Sequence, residues 1–239
     1  MKRIWTITLC LIRDLFLSLA GIVPLAATLA FGQIAFEYGM DQAQFITVAG
    51  LGTGGICLLT TLLLAGRANR AWSYLLLARL RSRSELLVGL IVGGLLVTAV
   101  LSLLITAGNL ALGRLTLDFP SALWIVPVWV ILWLLMAALA LPLSSLTSRA
   151  GSHLAGYVLL TALLFANDRK AWLQIHGFDG LSRVVTAILW PVGTLLAQAS
   201  KGLHGGTFFL AMAGVLAYAL LLYAFGRRTF RTKDLLWAE

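Results

Sequence analysis

The sequence predicts an all-α integral membrane protein: six transmembrane helices, both termini cytoplasmic, folded as a single transmembrane domain over residues 1–239. Three observations carry that reading. Composition is the first: the chain is 60% hydrophobic and 11% charged, with a mean hydropathy of +0.95. A soluble domain is about 45–50% apolar and about a quarter charged, so too few charges are present here to cover a water-facing surface. The second is the spacing of six uncharged stretches near the roughly 20 residues that a helix needs to cross a bilayer. The third is the placing of charge, since Lys and Arg collect on the cytoplasmic side of a membrane protein.

The six stretches are Leu15–Phe36, Phe45–Ala65, Leu86–Leu112, Ser121–Thr147, Ala150–Asn167 and Gly206–Phe225. Residues 1–14 precede them as an interfacial helix: Arg3, Thr6, Cys10 and Arg13 recur at helical spacing, opposite Ile4, Ile7 and Leu11. A cleaved signal peptide is the rival for Lys2-Arg3 and the following apolar run. Arg13-Asp14 interrupts that run, and no small-x-small cleavage site follows directly. The turn after span one holds Glu37 and Asp41, whereas the segment after span two holds Arg67, Arg70, Arg79, Arg81 and Arg83 against Glu85 alone. With the N-terminus inside, cytoplasmic segments carry 13 basic and four acidic residues, and outer segments five of each. The whole net charge of +9 therefore falls on one side, which points to an inner (cytoplasmic) membrane and to lipid, and away from nucleic acid. Leu181–Ala199 is apolar too, within an extracytoplasmic segment over 167–205. As a seventh span it would put the basic tail outside, so it reads as an outer-leaflet re-entrant helical hairpin.

Several chemistries find no residues. The Gly50, Gly52, Gly55 pattern matches a dinucleotide loop literally, but it lies within span two, without the preceding strand that such a loop needs. No phosphate loop and no H-E-x-x-H is present, and His153, His176 and His204 are scattered away from metal spacing. The spans hold no ionisable cluster of the sort that proton relays need. Cys10 and Cys57 fall in different compartments and read as free thiols. What remains is packing and docking. Gly50 and Gly54, like Gly89 and Gly93, have the small-xxx-small spacing of close helix contacts. Trp129 and Trp133 share one face of span four and either line a path or fill a helix contact; Trp124 is an interface anchor. Pro24, Pro127 and Pro142 predict kinks. In the 66–85 segment, Trp72, Leu75, Leu76 and Leu80 form an apolar stripe with arginines at both ends. That stripe suits an interfacial helix on anionic lipid or a docking helix for a cytoplasmic partner.

Three local patterns resemble the type-2 ABC exporter permeases (ABC-2 family). Trp72-Ser-Tyr-Leu-Leu-Leu-Ala-Arg-Leu-Arg-Ser82-Arg83 followed by Glu85-Leu-Leu-Val-Gly89 is similar to the family's coupling-helix stretch. Leu141-Pro-Leu-Ser144-Ser145-Leu-Thr-Ser148-Arg149 is similar to its Ser-rich turn into span five, and Phe225-Gly-Arg227-Arg228-Thr-Phe230-Arg231 to its basic, aromatic last helix end. Family members usually carry an acidic residue at the start of the coupling loop, where this chain has Arg67 and Arg70.

The resemblance implies a half-transporter. The N-terminal helix would be an elbow helix, and two permease chains, as a homodimer or related heterodimer, would form the path. Two copies of a separate cytoplasmic ATPase would bind ATP and Mg, so this chain would hold no cofactor and catalyse nothing. Arg67, Arg70, Trp72, Leu75, Leu76, Arg79, Arg81, Arg83 and Glu85 would couple to that ATPase. Gly50, Gly54, Trp129 and Trp133 are candidates for pathway or dimer packing. Rival readings are a haem-exporter-type permease of cytochrome c maturation and a membrane anchor or assembly subunit that transports nothing.

Overall fold

The computed structural model describes residues 2–35, 37, 39, 41–68, 82–115, 119–144, 146, 179–202 and 205–232. Among these the chain is all-helical. Helix α1 covers Lys2–Phe16, α2 Ile22–Ala35, α3 Gln42–Ala68, α4 Arg83–Ala111, α5 Phe119–Leu143, α6 Asp179–Ser200 and α7 Gly206–Thr232. Four stretches are long and apolar enough to cross a membrane: Gln42–Ala68, Ser84–Ala111, Leu123–Leu143 and Gly206–Phe230. They fall on predicted spans two, three, four and six. A fifth is added if Arg3–Phe16 and Leu19–Ile34, bent by 92° at their junction, count as one. Predicted span five, Ala150–Asn167, lies outside the described residues.

Predicted span one is redrawn by that bend. Its first residues belong to α1, which ends at Phe16; a 3-10 turn, Leu19–Gly21, makes the corner. Local chemistry sets the corner. The Ser18 hydroxyl donates to the Leu15 carbonyl at 2.7 Å. Gly21 sits so close that an added Cβ would lie 2.8 Å from the Leu15 oxygen, so a side chain there is excluded by sterics. Pro24 falls in the first turn of α2, where its missing N–H has no helical partner to lose, so the kink expected there does not arise from it. The 14 residues of α2 rise about 21 Å, short of a hydrocarbon core about 30 Å thick.

Helix α5 is the centre of the bundle, packed against both α3 and α7. Val128, Leu132, Ala137, Ala138 and Leu141 are buried along it. Trp124 meets Phe208 of α7 edge to face, with ring centroids 5.9 Å apart. Further along, Gly226 lets α7 approach so closely that an added Cβ would stand 3.0 Å from Leu141 Cβ. Helix α1 packs on α4, and α4 on α3. Helix α6 lies against α7, and Gln198 donates to the Thr207 hydroxyl at 2.6 Å across the turn that joins them. Leu181–Ala199 is thus part of one continuous helix, with its turn after Ser200 instead of within it; a second arm over 167–178 lies outside the described residues.

Candidate functional site

The predicted site residues gather at two places. The first is the junction of α1, α3 and α4, beside the start of the basic loop. Helix α1 has three faces. Ile7, Leu11 and Leu15 are buried against the bundle, whereas Trp5, Leu9 and Phe16 form an exposed apolar stripe, 52%, 48% and 44% exposed. Arg3, Cys10 and Arg13 occupy the remaining, exposed polar face. At 100° per residue Trp5, Leu9 and Phe16 fall on one side of the helix, away from the buried Ile7, Leu11 and Leu15.

The buried face is held by α4. The Thr8 hydroxyl donates to the Gly89 carbonyl at 3.2 Å, and an added Cβ on Gly89 would lie 3.1 Å from Ile7 Cγ2. Gly93, one turn on, faces Leu64 of α3 at 3.2 Å. The Gly89/Gly93 spacing therefore serves two contacts, one with α1 and one with α3. Beside them Arg67, near the end of α3, reaches back across the junction. Its Nε lies 3.1 Å from Asp14 Oδ2, with side chains 11% and 28% exposed. A terminal nitrogen of Arg67 donates to the Asp14 carbonyl at 3.3 Å. Arg67 thus grips α1 through both carboxylate and backbone, a use of a planar, multi-donor guanidinium that a lysine could not reproduce.

The loop itself begins two residues later. Arg70, Trp72, Leu75, Leu76, Arg79 and Arg81 lie outside the described residues. Arg83 and Glu85 are in the first turn of α4, with the Glu85 N–H donating to the Ser82 carbonyl at 3.1 Å. An acidic side chain in a first turn complements the positive end of the helix dipole.

The second place is the α3–α5 contact at the far end of the bundle from α1. Gly50 and Gly54 are buried there: an added Cβ on Gly50 would meet Trp129 Nε1 at 3.0 Å, and one on Gly54 would meet Met136 Cγ at 3.4 Å. Both small residues bring α3 against α5 within this chain. Phe45–Ala49 is a π-helical turn of α3. Its Ile46 carbonyl accepts from Trp129 Nε1 at 3.3 Å. Trp133 Nε1 donates to the Thr53 hydroxyl at 2.9 Å, and that hydroxyl donates to the Ala49 carbonyl at 2.6 Å. Trp129 stacks obliquely between Phe45, at 4.9 Å, and Trp133, at 6.0 Å. Both indole N–H groups are therefore satisfied, as burial in an apolar setting demands.

The outer edges of these rings line a cavity of about 330 Å³ between α3, α4 and α5, open toward the bundle exterior. Ser102 and Thr106 also line it, but their hydroxyls donate to the Ala99 and Ser102 carbonyls of their own helix. Sequence reasoning found the two tryptophans and two of the glycines that build this contact. It missed Asp14, which it read as a break in an apolar run, and Gly94, which abuts Thr61 across α3 and α4. The signal for Gly94 was present in the Gly93-Gly94 pair. Among the described residues no cluster of three His, Cys, Asp or Glu side chains is placed to hold a metal ion. No family model, curated protein or solved structure matches the chain.

Proposed function

We propose that this chain is the membrane-spanning permease subunit of an ATP-driven exporter, coupled to a separate cytoplasmic ATPase. The junction at Asp14 and Arg67 carries the reading. A helix with an exposed Trp5/Leu9/Phe16 stripe and a basic face beside it is suited to lie in a membrane interface. Its 92° bend against the next segment would then turn the chain from the interface into the bilayer, in the manner of an elbow. The ion pair ties the end of that elbow to the residue from which the basic 66–85 loop departs. A push on the loop by an ATPase would reach α1 and α3 together, and α4 through Gly89. Both termini would be cytoplasmic, six spans would cross the membrane, with the bilayer thinned around the short α2 as the first, and α6 would lie in the outer leaflet.

Changing Arg79, Arg81 and Arg83 to Glu reverses the loop's charge and is expected to release a co-purifying ATPase while the permease stays folded. The first test is a mild-detergent purification of the tagged chain with mass spectrometry of what accompanies it. A near-stoichiometric phosphate-loop ATPase, lost in the triple variant, supports the proposal. Its absence even after crosslinking through the loop would favour a membrane anchor that transports nothing. Cysteine labelling at Gln174 and at Thr232 gives opposite sidedness if the topology is right, and the same sidedness if Leu181–Ala199 is a seventh span.

A further inference from the structure

A second groove lies between α2 and α4, at the end of the bundle far from α1, and it has a chemical polarity that the tryptophan cavity lacks. Its volume is about 280 Å³. One end is polar: Arg114, Gln33 and Asn109 meet there. The rest is hydrocarbon, with Leu25, Leu29 and Leu104 along the rim and Leu101 and Ile105 as its buried floor. Gly32 opens the middle; an added Cβ would stand 3.8 Å from Ile105, so the backbone itself forms part of the wall.

Among the described residues the Arg114 guanidinium of the polar end has no acidic partner, although Glu37 lies on the neighbouring turn and the Arg114 carbonyl faces Gly39. Asn109 is 8% exposed; its amide nitrogen donates to the Ile105 carbonyl at 2.8 Å. The hydrocarbon end, by contrast, has no polar requirement: the Thr28 hydroxyl, buried at 4% exposure, donates to the Pro24 carbonyl of its own helix. From Leu25 to Gln33 the groove follows eight residues of α2, about 12 Å along the helix axis. A dry apolar cavity of about 150 Å³ takes one benzene, so this one has room for a longer hydrocarbon segment. A cation with amides at the membrane edge, above an apolar channel running along the helices, matches one ligand shape: an acidic headgroup on an acyl chain.

We propose that this groove is a lipid site, which holds an acyl chain of an anionic phospholipid between α2 and α4 and the lipid's phosphodiester at Arg114. Such a lipid would fill the gap beside α2, a helix of 14 residues, and brace it against α4. The assignment is independent of the transport proposal and holds equally for an anchoring subunit.

Native mass spectrometry of the full-length chain, released from detergent with phosphatidylglycerol or phosphatidylcholine of identical chains, tests it. The unaltered protein is expected to retain one phosphatidylglycerol more strongly than phosphatidylcholine. Arg114→Gln is expected to lose about fivefold in phosphatidylglycerol retention, the worth of one basic side chain at a lipid surface, and to bind both lipids alike. Gly32→Leu and Leu104→Trp occupy the channel and are expected to weaken both lipids. Leu104 is 62% exposed and can enlarge without disturbing the bundle, so it reports even if Gly32→Leu fails to fold. Unchanged selectivity in Arg114→Gln overturns the headgroup assignment. Displacement of the lipid by inorganic phosphate alone would make this an anion site without a chain. Unchanged lipid retention in Leu104→Trp, together with a shift from dimer to monomer, would give the groove to a second copy of the chain and refute the proposal.

Discussion

Replacing Gly94 with valine is expected to destabilise the bundle by about 2–4 kcal/mol, whereas the same change at Gly55 is expected to be nearly neutral. At Gly94 the helices α3 and α4 approach closely, with Thr61 Cα only 3.7 Å from where a Cβ would stand and the Thr61 hydroxyl in direct overlap with it. That hydroxyl donates to the Cys57 carbonyl at 2.8 Å. To make room it must rotate and break a bond worth about 0.5–1.5 kcal/mol. Rotation alone does not suffice, because the valine branches also meet the α3 backbone; overpacking a filled core costs about 1–3 kcal/mol. Gly55 lies in α3, six residues before Thr61 and exposed, with nothing within 4 Å of its added Cβ. Both changes share the same helix-propensity term, so their difference isolates the contact. The assay is reversible unfolding in mixed micelles of rising SDS fraction, followed by tryptophan fluorescence. If the two variants unfold at the same SDS fraction, the close approach of α3 and α4 is wrong.

Other changes probe the remaining contacts. Thr53→Val is expected to cost about 1–3 kcal/mol, because it strands the buried indole N–H of Trp133. Trp133→Phe removes the donor instead and leaves Thr53 bonded to Ala49, so a double-mutant cycle in the same assay should return a coupling near 1 kcal/mol. Asp14→Ala is expected to lower stability by about 1–3 kcal/mol, between the worth of exposed and buried pairs, since its partner is 11% exposed. The charge swap Asp14→Arg with Arg67→Asp should recover part of that loss in a thermal melt, and recovery of none would assign the effect to packing alone. A maleimide added to the folded protein should modify exposed Cys10 and spare buried Cys57, with both labelled only after unfolding in SDS. Labelling of Cys57 in the folded state would show that the α3–α5 contact opens.

Where hydropathy alone decides an element, the sequence was sufficient. At predicted spans two, three, four and six the structure has helices long and apolar enough to cross a bilayer, because a long uncharged apolar run is stable in lipid only when its backbone groups bond within a helix. The same measure misdrew span one. Leu15 is as apolar as Leu25, yet it helps to finish a helix that docks sideways, and only Ser18, Gly21 and Pro24 signal the corner. Small-residue spacing identified Gly50 and Gly54 as contact points but not their partner, since which helix α3 meets depends on tertiary placement. The indole partners depend further on the rotation that the π-helical turn at Phe45–Ala49 introduces, which no periodicity encodes. Asp14 and Arg67 are 53 positions apart. Each had a plausible local meaning, one as a helix breaker and one as a docking base, and only the fold joins them.

The docking of α1 on α4 imposes an order on biogenesis. Thr8 and its acceptor Gly89 are 81 residues apart. At a synthesis rate of about 5–20 residues per second, α1 leaves the ribosome some 4–16 s before the surface that will cover Ile7, Leu11 and Leu15 exists. During that interval α3 is the one partner helix already made, meeting α1 at Asp14 through Arg67, and the membrane surface is an apolar phase within reach of the rest of the inner face. The N-terminus would therefore wait as a lipid-bound helix and later exchange lipid for protein along one face, keeping lipid along the other. A chain truncated before α4 would not complete that exchange, leaving its first helix tied to protein only through α3, as at Asp14 and Arg67.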